Sequence, residues 1–262
     1  MALLIKRGGK LIDIFSQMQR GKILDIPAGG GQESLNLLKM GYQSFPTDFF
    51  PSATKNPALA WVQANGNEIF PFRGETFDYV LSREGIEHLE NQAHFLRECA
   101  RVLKPGGKLI LTTPNVMHLS SRLSHLLVGH RTFRRGLANE VQTLRTMTGT
   151  KMYHGHIFLI DYFRLRYLMR LAGFGEICVF TDRFSPTSIA FAWLVPILFI
   201  SSMLAIQMYR SKALRKTLKL PPVFVLREIL SHIFSPALLF GKRMIVVAEK
   251  NRHEDGPVAN IA

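Results

Sequence analysis

The sequence predicts an open α/β fold in which parallel strands alternate with crossover helices. Short apolar runs that are typical of buried strands alternate with segments of helical periodicity. The first apolar run leads through three successive glycines, Gly29 to Gly31, into a helix. With 262 residues, of which 47% are apolar, the chain can bury a sizeable core. The ligand of such a sheet binds beyond the carboxyl ends of the strands.

The rest of the chain is organised around the stretch Lys22 to Ser34, KILDIPAGGGQES. We interpret it as a buried strand that ends at Asp25, a turn, and the start of a helix. Because glycine lacks a Cβ, a ligand can lie against the backbone of such a turn, and the helix N-terminus then faces that ligand. The glycines do not follow the G-x-G-x-x-G spacing, so the turn alone indicates either a nucleotide site or only a tight turn.

Local signals define the elements on either side of this turn. We expect an amphipathic helix over residues 9–20, covering the sheet, and a second helix over residues 32–40 that ends at Gly41. A second strand, Tyr42 to Thr47, delivers Asp48 at its carboxyl end. That carboxylate is placed to accept hydrogen bonds from both hydroxyls of a ribose, and the alternative is a solvated loop carboxylate.

The alternation of strand and helix continues along the chain. Strands are predicted at Trp61 to Ala64, Phe77 to Leu81 and Lys108 to Thr113. An amphipathic helix over residues 89–103 lies between the last two and ends at the turn Lys104 to Gly107. This order favours parallel pairing, since parallel neighbours need crossover connections.

Several blocks of the sequence resemble the class I S-adenosylmethionine-dependent methyltransferases. They are ILDIPAGGG, PTD, NEIFPFRGETFDYVLSREGIEHLEN and RVLKPGGKLILTTPN, in the order and at the spacing usual for that family. The resemblance spans roughly residues 20–183 and the last strand. It implies a Rossmann-like seven-stranded methyltransferase sheet with helices on both faces, plus a hydrophobic helical insertion before the last strand. It also implies S-adenosylmethionine as the cofactor.

The same resemblance implies seven cofactor-binding residues. They are Asp25, Gly29, Gly31, Asp48, Asn65, Gly66 and Glu84. The first three would line the methionine and ribose side, and Asp48 would bind the ribose hydroxyls. Asn65 and Gly66 would lie beside the adenine, and Glu84 near the methionine end.

Two positions depart from the family pattern. Pro27 replaces the first glycine of the turn, and Asn65 replaces an acidic residue that binds adenine. A proline has no N–H, so the turn can form where that N–H is not a ligand contact. An asparagine can still accept a hydrogen bond from an adenine amino group through its side-chain oxygen.

The segment 115–158 is expected to form a lid over the acceptor substrate, as the family resemblance implies. Its arginines are candidates for holding a phosphate or carboxylate, and the alternative is a solvated basic face. They are Arg122, Arg131, Arg134, Arg135 and Arg145. A helix ending at Gly173 and a strand at residues 174–182 follow.

Residues 184–242 form the predicted insertion. Residues 184–209 carry no charge, and twenty-one helical residues span about 30 Å, enough for a bilayer core. Residues 243–249 resemble the final antiparallel strand, so the chain must return to the sheet. A monotopic or re-entrant membrane anchor, kinked at Pro196, therefore fits better than a simple span. A buried helical hairpin and a dimer interface are the alternatives.

Charge and cysteine content narrow the function classes. The net charge is +2 over residues 1–120 and +12 over residues 121–262, which favours an anionic partner for the second half. The two cysteines, Cys99 and Cys178, favour neither a disulfide framework nor a zinc site. The start, MALLIKRGGK, has too short an apolar run for a secretory signal, so we expect a cytoplasmic protein at the inner face of the membrane.

Histidines are the natural proton acceptors near neutral pH. His88, after the fourth strand, and His154 and His156, in the lid, are the candidate catalytic residues. The spacing of the last two could place both on one side of a strand, but no companion carboxylate pattern accompanies them, and no metal is expected.

The leading hypothesis is O-methylation of a small or lipid-linked acceptor, such as a glycan, lipid or quinone precursor, at the cytoplasmic membrane face. Nucleic acid is not the expected partner. An RNA or protein methyltransferase and a catalytically silent membrane scaffold are the alternatives. The expected domains are a core at 1–183, the insertion at 184–242, the last strand at 243–250 and a flexible tail at 251–262.

Overall fold

A seven-stranded mixed sheet lies at the centre of the protein in the computed structural model. The structure describes residues 11–50, 59–130, 143–145, 151–153, 155–215 and 223–252. The sheet contains β1 Lys22–Asp25, β2 Gln43–Asp48, β3 Val62–Gln63, β4 Phe77–Arg83, β5 Leu103–Pro114, β8 Phe174–Phe180 and β9 Arg243–Lys250. A separate hairpin pairs β6 Thr143–Arg145 with β7 Lys151–Tyr153. In the sheet the strand order is β3-β2-β1-β4-β5-β9-β8.

The pairing directions agree with the predicted fold class. β1 pairs in parallel with β2 and β4, and β2–β3 and β4–β5 are parallel too. β9 lies between β5 and β8 and is antiparallel to both. The prediction that the last strand runs against the others is therefore confirmed.

Helices cover both faces of the sheet. The helices of the described residues are α1 Leu11–Ser16, α2 Gln32–Lys39, α3 Gln92–Val102, α4 Leu119–Val128, α5 Tyr162–Leu171, α6 Pro186–Ala190, α7 Val195–Arg215, α8 Val223–Ile233 and α9 Pro236–Phe240. One apolar cluster joins α1 and α2 to the sheet, and a larger one joins α3, α5, α8 and α9 to its other face. The predicted fold class is confirmed.

Two element boundaries differ from those predicted by more than three residues. The first helix ends at Ser16 rather than at residue 20, because Tyr42 donates its hydroxyl to the carbonyl of Phe15 at 2.7 Å and Arg20 donates to the carbonyl of Met18 at 3.0 Å. These side chains satisfy carbonyls at the helix end. β5 begins five residues earlier than predicted, at Leu103, which pairs with Phe77.

The insertion leaves and rejoins the core at one place. Phe184 and Gly241 form an antiparallel bridge, and Ser185 N–H donates to the carbonyl of Phe240 at 2.7 Å. The predicted kink at Pro196 is wrong: Pro196 is the second residue of α7, where the first turn needs no N–H donor. α7 is the one helix of the described residues that is long and apolar enough to cross a membrane, and its apolar window, within Ala192–Lys212, is not buried.

The second half of the insertion packs on the core. Ile233 and Leu238 are buried in the larger apolar cluster. Glu228 of α8 accepts hydrogen bonds from Arg166 at 2.6 Å and Arg170 at 2.8 Å, both on α5. These contacts hold the second half of the insertion against α5 and the apolar core.

Candidate active site

A cavity of about 540 Å³ opens at the carboxyl ends of β1, β2 and β4. Its lining residues come from the glycine turn, from the ends of the strands and from the turn after β4. Among them are Asp25, Pro27, Gly29, Asp48, Phe50, Asn65, Asn67, Arg83, Glu84, Gly85, His88 and Leu89. Of the seven predicted cofactor residues, Asp25, Gly29, Asp48, Asn65 and Glu84 line this one cavity.

The glycine turn keeps its backbone open to the cavity. Gly29 has a φ of +52°, and a Cβ added there would meet no atom within 4 Å. Pro27 does not prevent the turn, because Ala28 N–H donates to Thr47 O at 2.9 Å and Gly31 N–H to Ala28 O at 2.8 Å. The side that faces the cavity can therefore admit a ligand close to the main chain.

Gly31 and Gly66, by contrast, do not line the cavity. A Cβ on Gly31, which has a φ of +75° at the start of α2, would lie 2.8 Å from the ring of Trp61. A Cβ on Gly66 would lie 2.9 Å from Leu89, a lining residue. Both glycines make room for side chains, and the structure gives no support to their predicted contact with the cofactor.

The carboxylate of Asp48 is held by two backbone donors. Its Oδ2 accepts from Gly29 N–H at 2.8 Å, and its Oδ1 accepts from Phe50 N–H at 3.0 Å. A carboxylate has about four lone-pair positions, so each oxygen keeps capacity for a further donor. Asp48 can therefore receive two vicinal hydroxyls, as the sequence predicts.

Asp25 has a different environment. It is 1% exposed, and its Oδ2 accepts a hydrogen bond from Ser34 Oγ at 2.6 Å. Burial raises the pKa of Asp25 to about 7, which the Ser34 hydrogen bond only partly counteracts. Near neutral pH this carboxyl can be neutral or charged.

Asn65, which also lines the cavity, is engaged within its own loop. Its side-chain oxygen accepts from Asn67 N–H at 3.0 Å and from the Asn67 side-chain amide at 3.4 Å, and its own amide donates to Glu68 at 2.9 Å. Both lone pairs of the oxygen therefore have donors within the loop. An adenine amino group could be accepted here only in place of the longer contact from the Asn67 amide.

Glu84, another lining residue, has a strained backbone conformation with a φ of +49°. Its carboxylate pairs with Arg243 Nε at 3.0 Å and accepts from Thr112 Oγ1 at 3.2 Å. Arg243 also pairs with Asp182 at 2.7 Å. No local sequence pattern points to Arg243, because only the antiparallel return of β9 brings it to Glu84.

The predicted histidines are partly brought together. His88 lines the cavity, and its ring centroid lies 5.1 Å from that of His156, with the rings at 89°. The neighbouring Glu87 is fully buried and accepts from Thr113 Oγ1 at 3.0 Å. His154 lies outside the described residues.

The arginines of the predicted lid give little support to an anion site. Arg122 donates from Nε to Met117 O at 2.6 Å, a structural contact within the α4 region. Arg131, Arg134 and Arg135 lie outside the described residues, and Arg145 lies in β6. The anion-binding role stays a prediction.

Residues 24–111, which contain most of the cavity lining, match a family model described as "Methyltransferase domain". Residues 24–111 are a methyltransferase domain. Two curated relatives agree with this. The ubiquinone biosynthesis O-methyltransferase of Xanthomonas oryzae pv. oryzae is 31% identical over 103 residues, covering 36% of this chain and 43% of the relative. The demethylmenaquinone methyltransferase of Streptomyces griseus is 34% identical over 95 residues, covering 34% and 41%. The methyltransferase domain thus spans less than half the length of these relatives.

Solved structures with low identity share the fold. A phosphoethanolamine N-methyltransferase 2 of Haemonchus contortus, in complex with S-adenosylmethionine, has a TM-score of 0.51 and 19% identity, covering 92% of this chain and 51% of that one. An Archaeoglobus fulgidus SAM-dependent methyltransferase has a TM-score of 0.50 and 16% identity, covering 88% and 86%. The family resemblance recognised in the sequence is confirmed.

S-adenosylmethionine is the cofactor of this family, and the residues present fit it. The open backbone at Gly29 can take a ligand at close range, and Asp48 keeps two acceptor positions for a ribose diol. Asn65 lines the same cavity, but both acceptor positions of its side-chain oxygen are engaged by Asn67. The features of the cavity that fit the cofactor are thus the open backbone at Gly29 and the carboxylate of Asp48.

Proposed function

We propose that the protein is an S-adenosylmethionine-dependent methyltransferase that methylates a hydroxyl of a small, quinone-type or lipid-linked acceptor at the cytoplasmic face of a membrane. The observation that carries the proposal is the cavity at the carboxyl ends of β1, β2 and β4. There an open glycine backbone and the doubly held carboxylate of Asp48 face the same space.

The chemistry asked of the protein is modest. The cofactor supplies a methyl group on a good leaving group, so the protein mainly aligns the acceptor oxygen with that methyl group and helps to remove the hydroxyl proton. We assign removal of the hydroxyl proton to His88 and His156. His88 borders the cavity, and the ring of His156 contacts the ring of His88. Proton removal at this pair is part of the proposal.

The acceptor class is inferred from the relatives and from charge. Both curated relatives described above bear names from quinone biosynthesis. The cavity carries the carboxylates of Asp48 and Glu84 and opens beside histidines, a setting that suits a neutral or phenolic hydroxyl better than a polyanion. An RNA acceptor is therefore disfavoured.

Membrane contact is inferred from the exposed apolar helix α7. Its exposed large side chains include Ile197, Ile200, Leu204 and Met208, which are 55%, 59%, 56% and 72% exposed. A contiguous apolar surface of this kind is costly in water and marks an interaction surface. Lys212 at the other end of the helix is exposed and can meet anionic head groups.

Cofactor binding is tested first. We expect S-adenosylhomocysteine to bind the wild-type protein in calorimetry, and Asp48→Ala to weaken the binding at least tenfold, since two hydroxyl hydrogen bonds to a charged group are lost. Glu176→Ala, which removes an exposed carboxylate in β8, is the matched control and should bind normally. No binding by the wild type would favour a catalytically silent scaffold.

The acceptor and the membrane are tested together. Purified protein with radiolabelled S-adenosylmethionine is incubated with membranes and lysate, and the label is partitioned among organic, RNA, protein and aqueous fractions. Label in the organic fraction supports the proposal, and label in RNA or protein contradicts it. In a flotation assay with anionic vesicles, Ile200→Asp should reduce binding, whereas Ile69→Asp, at an exposed loop position, should not.

A further inference from the structure

The fold groups three metal-ligating side chains beside the cofactor cavity. Glu87 and His88 belong to a 3₁₀ turn, Ile86–His88, that follows β4. His156 comes from the segment that precedes α5. One ligand atom from each of the three lies within 4.8 Å of the others.

Backbone contacts hold the two segments against each other. Phe158 N–H donates to the carbonyl of Glu87 at 3.2 Å, and Gln92 donates to the carbonyl of Ile86 at 2.9 Å. Thr113 of β5 orients the Glu87 carboxylate through its hydroxyl at 3.0 Å. The position of the group is thus determined by the sheet and by the neighbouring helix α3.

We propose that Glu87, His88 and His156 bind a divalent cation of the zinc class. Two imidazoles and one carboxylate are a donor set that zinc and similar transition metals prefer, whereas magnesium and calcium prefer oxygen alone. Ligands on a tetrahedral zinc ion lie roughly 3.4 Å apart, so the group needs to contract by at most about 1.4 Å between any two ligand atoms. Side-chain rotation can supply a change of that size.

The group lies at the edge of the cavity. Glu87 is fully buried, while His88 and His156 are half-buried and His88 borders the cavity. Three protein ligands leave a fourth position on a tetrahedral ion, as catalytic zinc sites do. Because His88 lines the cavity, an acceptor bound there is close to the cation.

This inference rests on the proposed function. In it, His88 and His156 bind the cation instead of removing the hydroxyl proton themselves. A hydroxyl oxygen of the acceptor occupies the fourth position, and the cation lowers the pKa of that hydroxyl so that its proton leaves to solvent. The oxygen then forms a bond to the methyl carbon. The carbon–sulfur bond breaks, and its electron pair stays on sulfur, which becomes neutral.

No metal is expected from the sequence alone, because His154 and His156 lack a companion carboxylate nearby in the chain. The fold supplies that carboxylate from Glu87, which is far away along the chain, and pairs His156 with His88 instead.

Cobalt binding tests the site directly. Untagged full-length protein is stripped with a chelator and titrated with Co²⁺, whose visible absorption reports a tetrahedral nitrogen and oxygen environment, and then with Zn²⁺ as competitor. We expect one Co²⁺ per chain, displaced by Zn²⁺. Glu87→Gln and His156→Asn should each weaken binding at least tenfold, and His125→Asn, on the exposed face of α4, should leave it unchanged.

Binding of S-adenosylhomocysteine by every variant, measured in parallel, verifies that each is folded. Absence of saturable Co²⁺ binding, or equal binding in all variants, overturns the cation site. If S-adenosylhomocysteine binds and Co²⁺ does not, the cation inference fails and the proposed function stands. If Co²⁺ binds and S-adenosylhomocysteine does not, the proposed function fails and with it the chemical role of the cation.

Discussion

The buried carboxyl of Asp25 makes the stability of the fold depend on pH. It lies in a fully buried position at the end of β1, and burial raises its pKa from 3.8 to about 7. The unfolded chain releases this proton near the ordinary value, whereas the folded chain holds it until near neutrality. Asp25→Asn removes the titration and keeps the shape and the acceptor for the Ser34 hydroxyl.

The sign and size of the effect follow from the two pKa values. Between pH 4 and 7 the folded state binds more protons than the unfolded state, so the free energy of unfolding falls as the pH rises and levels off above about 7. At about 1.4 kcal/mol per pKa unit, the total is on the order of 4 kcal/mol. Roughly 2 kcal/mol of that loss occurs between pH 5 and 7.

Urea denaturation followed by circular dichroism at pH 5, 6, 7 and 8 measures this directly. The difference in unfolding free energy between Asp25→Asn and wild type should grow in favour of the variant by about 2 kcal/mol from pH 5 to pH 7. In Ser34→Ala the pKa of Asp25 should rise further, because the hydrogen bond that lowers it is lost, and the decline should continue to higher pH. A difference that is constant with pH within about 0.5 kcal/mol would refute the reasoning.

Two further substitutions separate cofactor binding from stability. Gly29→Ala should cost about 1 kcal/mol of stability, because its φ is +52°, and should weaken S-adenosylhomocysteine binding at least tenfold in calorimetry. Gly129→Ala carries the same strain, with a φ of +66° and open space, and should leave binding intact; equal binding losses in both would contradict the cavity assignment. Glu228→Gln should lower the unfolding free energy by about 2 kcal/mol, since Arg166 and Arg170 lose their charged partner, and unchanged denaturant midpoints would contradict this.

The alternation of the core could be predicted because its signals are local. The strand that ends at Asp25, the glycine turn and the helix over residues 32–40 were predicted within one residue of the observed bounds. The end of α1 could not be predicted, because it depends on Tyr42, which lies just before β2 and donates to Phe15 O. The early start of β5 likewise depends on pairing with β4.

The candidate site was predictable where each residue follows its own strand. Asp48 is the last residue of β2 and Asn65 lies two residues beyond β3, and both line the cavity. Arg243 and His156 reach the site only through tertiary contacts, so no local pattern contains them. Gly31 and Gly66 carry a turn signal that does not distinguish a glycine facing a ligand from one facing a tryptophan or a leucine.

The two ends of the insertion lie next to each other, and this limits the free energy that the insertion costs the fold. β8 and β9 are antiparallel neighbours that a tight turn could join, and the bridge between Phe184 and Gly241 brings the ends of the insertion together just beyond them. Loop-closure entropy grows only with the logarithm of length, so replacing a turn of about four residues by residues 184–242 costs roughly 2 kcal/mol. The sheet therefore places little constraint on the length of this segment. Its exposed half, α7, is free to change in length and composition while the strands that shape the cofactor cavity stay the same.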